Sequence, residues 1–232
     1  ANFRRVLNWG FNNDLVVKNP FTIEYIKREE KKKEMQYYTL NEFNQFLSAI
    51  SDDSDRLIFS LLYWCGIRKG EFQALTFKDI DFNNKTLNVN KTYDNRNRII
   101  TTPKNHTSYR EVFLPEFLIT DIHNYVQKCK RIAGFENSLF LFGIDKPIPA
   151  TTLERKKNKY AALARVKQIR IHDFRHSHVS LMINNGVTDF DIAKRLGHSR
   201  DMVNNVYGHW FKENQLKLAD KLNKLHEVSV NS

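Results

Sequence analysis

A chain of 232 residues, 41% apolar and 27% charged, is long enough for a full core and too apolar to be disordered. Its 37 Lys and Arg against 26 Asp and Glu leave a formal charge of +11, which points to a polyanionic partner, nucleic acid being the commonest. No apolar run reaches the roughly 18 residues of a bilayer span, and no Lys/Arg-rich helix carries a clean Trp or Phe face, so a membrane is a weak rival.

No secretory signal is visible, and two cysteines, Cys65 and Cys129, cannot make a disulfide framework. A reducing, cytosolic setting fits best. Ala1 opens within a helical pattern, which suggests a fragment of a longer protein. Phe3, Val6, Leu7 and Trp9 have rough helical spacing, and Asn19-Pro20 is a stop signal. The run from Lys27 to Glu34 has no apolar position and reads as a solvated connector, or as a strand that follows a DNA backbone.

Packed helices follow. Thr39 and Glu42 form a capping box ahead of Phe43, Phe46, Leu47 and Ile50. Asp55 to Cys65 is apolar nearly all round, as a core helix would be, and ends at Gly66; Cys65 within it reads as a buried small hydrophobe. From Asp79 to Leu114 the period shifts to two. Residues 86–90, 98–102 and 109–114 predict a three-stranded meander with turns at Asn83-Asn84, Asp94-Asn95 and Asn105. Pro115 opens another helix, a short apolar run lies at 139–142, and helices resume from Thr151 with breaks at Gly186, Gly197 and Gly208. The fold class is mainly α with a small three-stranded antiparallel sheet.

Four segments concentrate reactive side chains. Arg68, in Gly66-Ile67-Arg68-Lys69-Gly70-Glu71, follows the core helix, where packing would hold a guanidinium for a phosphate or for the helix dipole. Lys104 sits at a hairpin tip, able to reach a neighbouring groove or simply solvated. In His172-Asp173-Phe174-Arg175-His176-Ser177-His178, His172 and Arg175 share a helical face. His172 and His176 also have metal-ligand spacing, but the Glu of zinc peptidases is missing and Arg175 would repel a cation. His198, in Leu196-Gly197-His198-Ser199, precedes Tyr207 by nine residues. A tyrosine needs nearby cations to act as a phenolate; alone, Tyr207 is an ordinary half-buried aromatic.

Taken together, two Arg, one Lys, two His and one Tyr in this order suit transfer of a DNA phosphodiester, chemistry that is mostly positioning and charge stabilisation. Arg68 and Arg175 would clamp the non-bridging oxygens, with His172 and His198 adding one contact each. Lys104 would protonate the departing 5′ oxygen, and Tyr207 would attack and stay linked to the 3′ phosphate. No metal, nucleotide or other cofactor is needed, because the bond energy is kept in the phosphotyrosine link.

On these motifs, ordered and spaced across residues 37–210, the chain resembles the tyrosine recombinase family, the phage integrases and their relatives on mobile elements. The resemblance implies that Arg68, Lys104, His172, Arg175, His198 and Tyr207 are the catalytic set, with Lys91 an alternative to Lys104. It implies a site-specific recombinase of double-stranded DNA, for integration and excision, in a bacterial cytoplasm. It also implies three parts: residues 1–26 as the end of a truncated helical core-binding domain, 27–36 as a charged linker, and 37–232 as the catalytic domain. Family members assemble as tetramers on paired DNA sites, which implies a monomer without DNA. They exchange a C-terminal segment, for which 213–225, with Leu218, Leu222 and Leu225, is the candidate; the same stripe could pack on its own domain. Three other readings stay open: a topoisomerase of the same chemistry, a non-catalytic regulator using 172–206 as a helix-turn-helix-like reader, and a zinc hydrolase.

Overall fold

The computed structural model describes residues 2–17, 35–102, 109–131 and 134–211. Contacts divide the chain into two compact units, 1–34 and 35–232. In the first, α1 (Asn2–Asn12) carries Phe3, Val6 and Trp9 on an exposed face and is closed by a bond from Leu15 N–H to the Gly10 carbonyl. The expected stop at Asn19-Pro20, the charged run from Lys27 to Glu34, Lys104 and the expected segment 213–225 lie outside the described residues.

The second unit opens with α2 (Leu40–Ser48), α3 (Asp53–Cys65) and α4 (Lys69–Ala74), followed by a 3-10 turn at Phe77–Asp79. Five strands come next: β1 (Ile80–Asp81), β2 (Thr86–Val89), β3 (Thr92–Asp94), β4 (Ile99–Thr101) and β5 (Arg110–Phe113). It continues with α5 (Glu116–Cys129), α6 (Ala150–Leu163), α7 (Asp173–Asn184), α8 (Asp189–Leu196) and α9, residues 200–211. Among the described residues no helix is long and apolar enough to cross a membrane.

Local chemistry sets several of these boundaries. Thr39 and Glu42 close the capping box of α2, Asp52 caps α3, and Thr188 caps α8. Helices α3 and α8 both end on a glycine in the left-handed region, Gly66 at φ 60° and Gly197 at φ 64°. Helix α3 is buried on nearly every side and lies against α5 and α7. Its Tyr63 stacks on Phe43 at 3.7 Å between ring centres, while Phe46, Phe59 and Phe174 interlock close by. A smaller apolar cluster joins α7, α8 and α9 through Val179, Ile183, Ile192, Leu196, Val203 and Tyr207.

The strands pair differently from the expected meander. The three-stranded antiparallel sheet runs β1-β2-β5, with Leu87 opposite both Ile80 and Val112, whereas 99–101 pairs with 92–94 in a separate hairpin. The cause sits at residues 90–91. Lys91 binds the buried Asp79 carboxylate and Asn90 donates to the same group, which holds the chain there and starts a new hairpin. Its turn is fixed by the Asp94 carboxylate, which accepts from the Arg96 and Asn97 amides. The expected break at Gly208 is also absent, since α9 runs through it. Burial of Tyr207 on one side, and the packing of Trp210 and Phe211 on the other, outweigh the ~1 kcal/mol that an interior glycine costs.

Phe43 is fully buried in the ring cluster. Phe43→Ala should therefore lower the unfolding free energy by about 3–5 kcal/mol in urea titration. A loss below about 1 kcal/mol would mean that the stack is not a principal support of the core.

Candidate active site

Helix α7 is buried from Asp173 to Ser180, polar residues included. Such burial is costly wherever a polar group lacks a partner. Arg175, 1% exposed, donates from Nη1 to the Gly66 carbonyl at 2.7 Å and from Nη2 to the Leu196 carbonyl at 2.8 Å. Gly66 also leaves room for the His178 ring, which a Cβ there would meet at 2.5 Å. Nη2 also lies 2.8 Å from His198 Nε2. A guanidinium has no acceptor, so His198 Nε2 must accept and the imidazole proton sits on Nδ1. Among the described residues, Arg175 Nε–H and His198 Nδ1–H are buried without a partner, as is His178 Nδ1 on the same helix as Arg175. Burial, then the Arg68 charge, push Arg175 down to about 9, which leaves it cationic at neutral pH.

Arg68 caps α4 with its backbone and keeps a side chain 35% exposed, the most open cation of the group. Its Nη1 meets Glu71 Oε1 at 2.7 Å, and its amide donates to Glu71 Oε2 at 2.9 Å. Arg110, from β5, reaches the same carboxylate at 2.8 Å and donates from Nε to the Arg195 carbonyl. Burial alone would raise the Glu71 carboxyl, but the bonds and charge of Arg110, with those of Arg68, hold it at about 2. One anion thus fixes two arginines.

Tyr207, 2% exposed, projects from α9 into the smaller apolar cluster. Its hydroxyl lies 2.8 Å from His176 Nδ1. The His176 ring stands edge-on to His172 at 5.0 Å, and its Nε2 lies 3.9 Å from Asp173 Oδ1. Burial pushes the phenol up to about 12, against the pull of the Arg175 and Arg68 charges. At neutral pH Tyr207 is therefore a protonated phenol held in the field of two arginines.

Of the six residues expected from sequence, Arg175 and His198 are in direct contact. Arg68 and Arg175 act on Tyr207 and on His198 through charge, and His172 reaches Tyr207 only through His176. Lys104 lies outside the described residues, and its alternative Lys91 is tied into the Asp79 ion pair. The sequence offers His176 only as a metal-ligand candidate and gives Glu71 and Arg110 no role. Glu71 had a local signal, its i,i+3 spacing from Arg68, but the partners of His176 and Arg110 lie 31 and 39 residues away. Among the described residues no three His, Cys, Asp or Glu side chains gather as a metal site would require; His176 instead turns Nδ1 to Tyr207.

The sequence matches the model of the phage integrase family over residues 36–214. It is 30% identical over 233 aligned positions to the ICEBs1 integrase of Bacillus subtilis, covering 95% of this chain and 63% of that protein. Tyrosine recombinase XerC of Pediococcus pentosaceus is 28% identical, with 95% of this chain and 71% of that protein covered. The fold is shared with the Tn1549 transposon integrase solved in complex with a circular intermediate DNA: TM-score 0.73, 21% identity, 88% of this chain and 72% of that one. A lambda integrase dimer bound to a core site gives a TM-score of 0.55 at 17% identity, with 88% and 69% covered. The chain spans under two thirds of the ICEBs1 integrase, so it corresponds to part of such a protein.

Three histidines near this site are held neutral. Burial, then neighbouring positive charge, push His176 down to about 4, and His178 and His198 to about 3. The unfolded chain binds protons near the ordinary histidine value of 6.5, where the fold refuses them. Stability is therefore complete above that pH and falls as pH drops toward 4, by about 1 kcal/mol per histidine at a pH one unit below 6.5. Urea midpoints measured across this range should fall with acidification; a flat profile would refute the neutral assignment.

Proposed function

This chain belongs to the phage integrase family, and we propose that its site cleaves and rejoins DNA strands through a phosphotyrosine at Tyr207. In this reading the Tyr207 oxygen forms a bond to the scissile phosphorus while the bond from phosphorus to the 5′ oxygen breaks. Arg68, more exposed than Arg110 or Arg175, meets the incoming phosphate, and the buried Arg175 completes the pair. Arg175 Nε–H and His198 Nδ1–H, buried and without partners among the described residues, are donors suited to the non-bridging oxygens. His172 supplies a further donor, and Lys104 protonates the departing 5′ oxygen. The reverse sequence, with a new 5′ hydroxyl as nucleophile, rejoins the strand. Because the link conserves the bond energy, no cofactor enters the scheme.

The observation that carries this reading is the pairing of two buried, unpartnered N–H donors with a tyrosine under the charge of two arginines. Buried donors without partners call for a ligand that supplies the acceptor. The relatives, named as integrases and tyrosine recombinases, indicate the reaction in which such a ligand is a DNA phosphate. The formal charge of +11 suits the polyanion. The biological role that follows is site-specific integration and excision of a phage or other mobile element, on double-stranded DNA in a bacterial cytoplasm. The working assembly is a tetramer on paired sites, with a monomer in the absence of DNA. Residues 1–26 would end a core-binding domain, 27–36 would link it to the catalytic part, and 213–225 would exchange between neighbours.

The test uses a nicked duplex carrying a site selected from random-sequence DNA by binding to this chain. Tyr207→Phe should bind that duplex with unchanged affinity and form no covalent adduct in a denaturing gel. An adduct that survives the substitution would exclude Tyr207 as nucleophile. Arg175→Ala should still bind the duplex and lose most of its cleavage.

A further inference from the structure

His176 is not among the six residues assigned to the reaction, yet it is the residue that holds the Tyr207 hydroxyl, at 2.8 Å from Nδ1. It is 8% exposed, and burial keeps it neutral at physiological pH. A neutral imidazole carries one N–H and one lone pair. Its Nε2 faces the buried Asp173 carboxylate at 3.9 Å, and a carboxylate can only accept. That gap is too long for a hydrogen bond, but the carboxylate charge favours a proton on Nε2, which leaves the Nδ1 lone pair to receive the Tyr207 O–H. Asp173 is itself anchored by the Arg170 amide at 2.7 Å and by the Arg170 guanidinium, which keeps its charge on the far side of the His176 ring from Tyr207.

We infer that His176 is the proton acceptor for Tyr207 in the cleavage step. The inference rests on the nucleophile reading above and adds to it the fate of the phenolic proton. As the Tyr207 oxygen bonds to phosphorus, its proton passes along the existing hydrogen bond to His176 Nδ1, and the imidazolium so formed faces Asp173. The departing 5′ oxygen takes a different proton, from the acid on its own side. On rejoining, the imidazolium returns its proton to the leaving phenolate. A phenol raised to about 12 gives up its proton only as its oxygen bonds to phosphorus. At that moment the neutral imidazole in contact with it, though weakly basic in this fold, is the acceptor at hand. His172 stands one ring further from the phenol and remains free to face the phosphate.

Single-turnover adduct formation on the same nicked duplex tests this. His176→Ala should bind DNA as the parent does and form adduct about 10²–10⁴-fold more slowly, with added imidazole restoring part of the rate. His176→Gln fills the space and can accept a hydrogen bond but not a proton, so it should be equally slow while melting near the parent temperature. A Gln variant at the parent rate would reduce His176 to a positioning group, and an Ala variant at or above the parent rate would make it dispensable or a restraint; each overturns the inference. Nitrogen-labelled histidine in the DNA-free protein should show His176 protonated at Nε2, and protonation at Nδ1 would also overturn it. The two readings fail separately. Adduct absent from the parent, or surviving Tyr207→Phe, removes the nucleophile; adduct at Tyr207 with undiminished rate in His176→Ala removes only the base.

Discussion

A single buried cation, the Arg175 guanidinium, governs the arrangement around it. Its donors reach the last turn of α3 through Gly66, the end of α8 through Leu196, and the following loop through His198. Removing one partner of such a buried charged network costs about 3–5 kcal/mol, because the remaining groups lose their only compensation. The carbonyls face this point because Gly66 and Gly197 turn the chain there with positive φ. The tautomer of His198 follows from the same contact. Arg195 makes a parallel tie on the neighbouring side, from His178 to the Trp64 and Phe113 carbonyls, so α3, β5, α7 and α8 meet at two arginines.

What surrounds Arg175 is an electrostatic compromise. Positive groups crowd a low-dielectric space, and burial first, their mutual repulsion second, lower the proton affinity of His198 and of Arg175 itself. Glu71 offsets part of that charge, shared between Arg68 and Arg110. On the proposed reading, a phosphate entering this site relieves part of the repulsion among these cations. The preference therefore arises from how the protein distributes charge before any ligand is present.

Elements with local signals were readable in the sequence. The α2 capping box, the all-round apolar α3 and the Pro115 start of α5 need only residues within a few positions of one another. The order of Arg68, His172, Arg175, His198 and Tyr207 was also readable, because a known family spaces the same residue types that way. Long-range pairing was not. Periodicity marked residues 98–102 as a strand, but the choice of 92–94 as partner depends on Lys91 reaching Asp79. The spacing of His176 from His172 suggested metal ligation, because nothing local announces a tyrosine 31 residues away. Gly208 looked like a stop because propensity alone says so, and tertiary burial overrode it.

That glycine has a mechanical meaning. Gly208 lies in α9 directly after Tyr207, and a Cβ built there would touch nothing, so packing does not require its smallness. An alanine would fit and would stiffen the helix by about 1 kcal/mol. The chain thus carries a soft joint beside its phenol. Residues 200–207 are anchored through Val203 and Tyr207, and 210–211 through Trp210 and Phe211, with the joint between the two anchors. A bend at Gly208 could release the second anchor while the first stays seated, separating movement of the outer end of α9 from placement of the tyrosine.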